Sequence, residues 1–225
     1  KNNDKILNYE LQHYAAYVFR PNKEEKFEGR WNISSFEIKY RNQSVFEIKQ
    51  NIKRDYLYYD FDPTRTEDAV PLPSNNFYSY TDYEIAFSSP DKNLFKFATG
   101  IQYGDFFNGT KFSFKTGFKY RIQPYFNMSL RFDYDSIKLP EPYTSRNIWL
   151  INPKFQYTFN KKTSWSTYIQ YTNQSENLGI NSRFKWRFAP LSDLYIVYND
   201  NYINTDSLEP QYRSINLKLT YWINL

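Results

Sequence analysis

Cysteine is absent from this chain of 225 residues, which removes disulfide frameworks and thiolate metal sites from consideration. A single histidine, His13, is present, so any imidazole base has to be this residue. No metal cluster and no cofactor are implied. Nowhere do roughly 20 consecutive apolar residues occur, which excludes a membrane-spanning helix. The opening KNNDKILNYEL has no apolar core of the kind a secretory signal carries. We therefore expect either a chain already processed on export or a fragment of a longer one. There is no basic stripe or tail either. The net charge of +5 comes from 29 Lys and Arg dispersed against 24 Asp and Glu, so nucleic acid is not an expected partner.

What is abundant is aromatic. Twenty-three Tyr, 20 Phe and 5 Trp make up 21% of a chain whose mean hydropathy is -0.79. Transmembrane strands reconcile the two values, because each needs only about nine to eleven residues with every second one facing lipid.

The alternation itself is plain at the end of the chain. In RSINLKLTYWINL, Ile215, Leu217, Leu219, Tyr221, Ile223 and Leu225 take every second position, and the set between them, Ser214, Asn216, Lys218, Thr220, Trp222 and Asn224, is mostly polar. A period of two places these sets on opposite faces of a strand. TKFSFKTGFKYR, YFNMSLRFDYD and SRFKWRF repeat the pattern. Counting such runs predicts about twelve strands, near 6–19, 27–40, 45–59, 76–88, 93–104, 110–121, 125–136, 146–159, 163–172, 178–188, 193–202 and 212–225. Two blemishes stand out. Gln50 and Arg54 fall on the face defined by Phe46, Ile48, Ile52 and Tyr56, which suggests a bulge or a shielded segment. Pro153 interrupts the eighth run and should sit at a bulge or an unpaired edge.

The expected fold is all-β: a transmembrane antiparallel outer-membrane β-barrel in one domain, residues 1–225, located in the bacterial outer membrane. A soluble sandwich is the alternative, but a dozen strands of such length present more apolar surface than one interior holds. If the last strand ends in the periplasm, the connections at 41–44, 89–93, 122–124, 160–163 and 189–193 are the inner, short ones. The outer set is 20–26, 60–75, 105–109, 137–145, 173–177 and 203–211.

Two resemblances add to this reading. The terminal apolar series resembles the C-terminal assembly signal of outer-membrane barrels, with Tyr221 as the aromatic fifth from the end; Leu225 stands where Phe or Trp is usual. That resemblance implies the barrel-assembly machinery as a partner during insertion. The stretches IQYGDFFNGTKFSF, RFKWRFAPLSDLYIVYND and LKLTYW resemble the C-terminal barrel of a Bacteroidota outer-membrane protein family of unassigned function. Its N-terminal module is similar to family 9 carbohydrate-binding domains. The resemblance covers roughly residues 70–225 and implies further strands or a binding module ahead of Lys1.

On the polar faces, Lys111, Lys115, Lys119, Arg121, Arg131, Lys154, Arg183, Lys185, Arg187 and Lys218 should point into the lumen with Asp133, Asp135 and Glu84. In a narrow barrel the expected outcome is a filled, salt-bridged interior; an anion-preferring pore is the alternative. His13 is the one candidate base for a surface lipid hydrolase, and a structural histidine at the interface is the plainer reading. Asp60, Asp62, Glu67 and Asp68 offer oxygen ligands in the long loop, although solvated acids explain them equally well. Ser136 and Ser207, in DSI and DSL, fit a short Asp-Ser-apolar pattern that resembles Bacteroidota O-glycosylation sites in outer loops. The functional expectation is non-enzymatic: an anchor or scaffold for a binding module or a larger complex, with outer-membrane lipid, lipopolysaccharide and other outer-membrane proteins as partners. A porin-like diffusion channel is the competing class.

Overall fold

A computed structural model describes residues 5–19, 27–204 and 207–223. Among them there is no helix, and the chain forms one antiparallel sheet of 12 strands in sequence order. They are β1 (Ile6–Phe19), β2 (Phe27–Tyr40), β3 (Val45–Leu57), β4 (Asn76–Ser88), β5 (Phe95–Phe106), β6 (Gly109–Ile122), β7 (Phe126–Lys138), β8 (Arg146–Thr158), β9 (Thr163–Thr172), β10 (Asn177–Ala189), β11 (Ser192–Asn204) and β12 (Leu208–Thr220). This up-and-down order is the all-β topology that the alternation predicts.

Three details depart from expectation. β12 runs from 208 to 220 rather than from 212 to 225, because a register shift beside Tyr202 admits Pro210 to the ladder. At its far end the strand stops where the Trp222 amide turns to donate to Ser192 Oγ at 3.0 Å. Pro153 sits at no bulge: β8 holds one register against β9 on both sides of it, from Ile151–Tyr171 to Lys154–Tyr168. The side-chain amide of Asn152 donates instead to the Ile169 carbonyl at 3.2 Å, replacing the bond that proline cannot make. Nor do Gln50 and Arg54 mark a bulge, since β3 pairs without a shift on both sides.

The connections are also less regular than predicted. The β5–β6 turn narrows to Phe107 and Asn108, with Phe107 at φ 53°, so the end carrying the long loops carries tight turns too.

The chain divides into two compact units. The first comprises residues 1–93, 98–116 and 133–148, and the second 94–97, 117–132 and 149–225. In the first unit one face of the sheet carries the row Leu11, Phe36, Ile48, Ile85 and Ile101, aligned residue by residue across β1 to β5. All five are exposed, Leu11 to 80%. In the second unit Tyr157, Trp165, Phe184, Ile196 and Leu217 are likewise aligned across the strands, Phe184 half-buried and the other four exposed. Buried apolar side chains among the described residues are few: Leu72, Tyr80, Ile137 and Leu139. Left in water, each exposed Leu or Ile forgoes about 1.5–3 kcal/mol of burial. Rows of this kind are stable where the solvent is itself apolar.

Candidate functional site

The polar face of the first unit is self-compensated. Lys39 pairs with Glu10, and with Glu37 at 3.3 Å; Lys49 pairs with Glu47 at 2.8 Å. Asp82 is buried and accepts from the amides of Asn51 and Gln102, both at 2.6 Å. Asp55 accepts from Tyr80 Oη at 2.5 Å and Trp31 Nε1 at 2.8 Å. Lys111 stands on this face with its Nζ 4.6 Å from the centre of the Phe106 ring, and Asp133 and Asp135 occupy alternate positions of β7. Lys115, two residues beyond the fully buried Ser113, is exposed.

The connection between β3 and β4 closes over one end of this face. Phe61 and Leu72 exchange backbone hydrogen bonds at 3.0 and 2.8 Å, and Leu72 and Thr64 are fully buried. Phe107 joins Phe61 to Tyr78 and Tyr80 through ring contacts of 5.5 to 5.6 Å. The loop acids serve the loop. Asp62 accepts from the amides of Thr64 and Thr66 at 2.9 and 2.7 Å, and Asp60 from that of Ser74 at 2.7 Å. This amide holds the Asp60 carboxyl below its ordinary range. Glu67 and Asp68 are exposed. No group of three acidic, histidine or cysteine side chains is placed to hold a metal among the described residues.

The second unit differs in charge. Alternation puts Lys119, Arg121, Arg131, Lys154, Arg183, Lys185, Arg187 and Lys218 on its polar face. Against them stands Asp193 at the β10–β11 turn, which takes Arg187 Nε at 3.0 Å and lies 3.6 Å from Lys185 Nζ. Lys185 also lies 5.4 Å from the Tyr195 ring centre. Further along, the same face continues as neutral amides: Asn181 donates to Asn199 at 2.5 Å and Asn177 to Asn201 at 2.8 Å. Lys119, Arg131, Lys154, Arg183, Arg187 and Lys218 are exposed. The sequence-derived ladder thus separates into two sets: Glu84, Lys111, Lys115, Asp133 and Asp135 in the first unit, and eight cations in the second.

Of the terminal series, Ile215, Leu217 and Leu219 share one face of β12, and Tyr221 and Ile223 follow the strand's end at Thr220. Ile215, Leu217, Leu219, Tyr221 and Ile223 are between 63% and 72% exposed, and Tyr221 stacks on Phe188 with ring centres 6.2 Å apart. Leu225 lies outside the described residues. The two proposed modification sites part company. Ser207 is exposed just before β12, its Asp206 lying outside the described residues, whereas Ser136 lies within β7 beside the buried Ile137. The DSI pattern is therefore part of a strand and not of a loop, a correction that follows from β7 continuing to Lys138.

Sequence reasoning missed the contacts made by pairing. His13, on the apolar face, has Nδ1 3.0 Å from Ser34 Oγ, a neighbour 21 positions away that only the β1–β2 register reveals. The same register logic brings Arg30 and Arg54 opposite each other on that face. The off-pattern Arg54 was the one signal of it.

No protein-family model and no curated protein matches the sequence. Among solved structures the chain is similar to KdgM porin, alone and in complex with disordered oligogalacturonate. In each case identity is 10%, with 86% of this chain and 91% of the other covered, at a TM-score of 0.31. Nothing about ligand or transport is carried over at these values.

Proposed function

We propose that this chain is an outer-membrane β-barrel of the bacterial type, non-enzymatic, whose polar face lines a lumen that passes small anions by diffusion. The carrying observation is the second unit's polar face, where eight Lys and Arg share a surface with Asp193 and most of them, Lys119, Lys154, Arg183 and Lys218 among them, are exposed. A filled, salt-bridged interior would match such cations with carboxylates in number, and the cations of this set far outnumber the acid beside them. Clustered cations beside low-dielectric walls raise the local concentration of anions and favour their passage. Reconstitution into planar bilayers tests the reading. Anion-selective openings are expected, with selectivity moved toward cations in R183Q/K218Q. Absence of openings, or unchanged selectivity in the variant, overturns it.

An anchor or scaffold is the second reading, favoured by the folded β3–β4 loop, whose buried Thr64 and Leu72 give one end of the first unit a solid core. The full-length gene product decides how far that reading extends. A sugar-binding module ahead of Lys1 would make the barrel a mount, with the barrel-assembly machinery acting on the terminal apolar series and other outer-membrane proteins as partners.

A further inference from the structure

The self-compensation of the first unit's polar face fails at Lys53. Strands β2, β3 and β4 set Trp31, Lys53 and Tyr80 side by side in one row, with Ala16 of β1 next to Trp31. In the adjoining row Gly29 stands opposite Asp55. Asp55 reaches both rings, accepting from Trp31 Nε1 at 2.8 Å on one carboxylate oxygen and from Tyr80 Oη at 2.5 Å on the other. The carboxylate two positions from Lys53 is thus engaged by the rings on either side of the lysine. Asp82, one row the other way on β4, takes the amides of Asn51 and Gln102. Lys53 makes no ion pair or hydrogen bond among the described residues. Its Nζ lies 5.8 Å from the centre of the Tyr80 ring, close to the outer limit of a cation–π contact.

Trp31 is the second anomaly of this row. It shares the polar face with Ser35, Glu37 and Lys39, yet it is 37% exposed. Its one polar atom is bound to Asp55, so what it offers outward is ring. Ala16 and Gly29 flank it with a methyl group and with no side chain at all. An open indole anchored through its nitrogen is a rigid stacking surface, and an ammonium beside it is a compact charge with three donors. We propose that Trp31 and Lys53 bind an aromatic carboxylate, its ring stacked on the indole and its carboxylate on the Lys53 ammonium, while Asp55 holds the two flanking rings in place. This rests on the outer-membrane reading above, which makes the polar face the lumenal one. A sugar acid matches the row less well. Its hydroxyls need partners, and Trp31 Nε1, Tyr80 Oη and both Asp55 oxygens are already engaged with one another.

The test uses the purified chain in uncharged detergent, with binding read by ligand-detected nuclear magnetic resonance against matched empty micelles. Benzoate is the probe. Acetate, benzyl alcohol and glucuronate are the comparison arms: charge without a ring, a ring without charge, and a carboxylate on a sugar. Wild type is expected to hold benzoate about tenfold more tightly than any of the three. W31L and K53Q should each weaken benzoate about tenfold, the first through the lost stacking surface and the second through the lost charge. K53Q should also erase the preference for benzoate over benzyl alcohol, which a packing role of the lysine would not do. W31F keeps a smaller ring and should fall between, and K92Q, in an exposed turn, should match wild type. Heat-modifiable migration is followed in parallel. Folded W31L or K53Q that keeps benzoate at the wild-type level, or folded wild type that holds none, overturns the site and leaves the barrel standing. Acetate bound as tightly as benzoate overturns the ring assignment, benzyl alcohol bound as tightly overturns the charge assignment, and glucuronate bound as tightly overturns the aromatic one. If wild type itself gives no folded band and no outer-membrane fraction, it is the barrel reading that fails.

Discussion

Arg187 on β10 donates from Nε and Nη2 to the two carboxylate oxygens of Asp193 on β11, at 3.0 and 3.4 Å. It is a forked pair across the tight turn at Pro190 and Leu191. Asp193 is the carboxylate that the cationic polar face meets at that turn. D193N is therefore expected to deepen anion selectivity in planar bilayers, seen as a shift in reversal potential under a salt gradient. Folding should change little, since a pair open to solvent is screened and contributes little to stability. An unchanged or cation-shifted potential would count against the polar face as the conducting surface.

β12 and the residue just beyond its end give the second prediction. Tyr221 is exposed on the apolar side and stacked on Phe188. Y221D places a carboxylate among lipid tails at a cost of up to a few kcal/mol, depending on depth. K218Q, on the other face, should be far milder. Heat-modifiable migration in membrane extracts compares them, and equal loss of the folded band in both would mean the faces are reversed.

Gly104 on β5 faces the backbone of β4 so closely that an added Cβ would lie 2.3 Å from the Thr81 carbonyl oxygen and 2.4 Å from Asp82 Cα. G104A has to move backbone and should destabilise by about 1–3 kcal/mol. At Gly100 the same atom would meet Ala86 Cβ at an ordinary 3.6 Å, so G100A serves as the near-neutral control. Urea unfolding in lipid vesicles measures both.

The long loop should loosen in acid. Because the Ser74 amide keeps the Asp60 carboxyl below its ordinary range, the stabilisation is complete above the unfolded value of about 4 and is lost as pH falls through the lowered folded value. Deuterium uptake by a peptide spanning 60–75 should rise in that acid window beyond the intrinsic rate, and D60N should abolish the pH-linked increment. A wild-type profile that matches D60N throughout would remove Asp60 from the account.

His13 and Ser34 are within hydrogen-bond reach, yet the proposed function gives them no reaction to catalyse. Purified protein offered phospholipid or short-chain ester in detergent is expected to show no hydrolysis above buffer, with H13A and S34A indistinguishable from wild type. Turnover lost in both variants would make this an enzyme and overturn the non-enzymatic reading.

Much of this was legible in the chain because a strand repeats every two residues and each repeat is local. The number of strands, their limits to within a few residues, the two faces and the side on which cations such as Arg183, Lys185 and Lys218 stand all follow from alternation, which needs no knowledge of what pairs with what. Register is not local. It decides that Arg30 meets Arg54, that His13 meets Ser34 and that Asn152 covers for Pro153, because hydrogen bonding between strands fixes which of many equally alternating residues stand opposite each other. The division of charge between the two units and the folding of the loop from Phe61 to Leu72 belong to the same level. They depend on which segments pack together, and on Phe107 reaching Tyr78 and Tyr80 across a distance in sequence that no periodicity encodes.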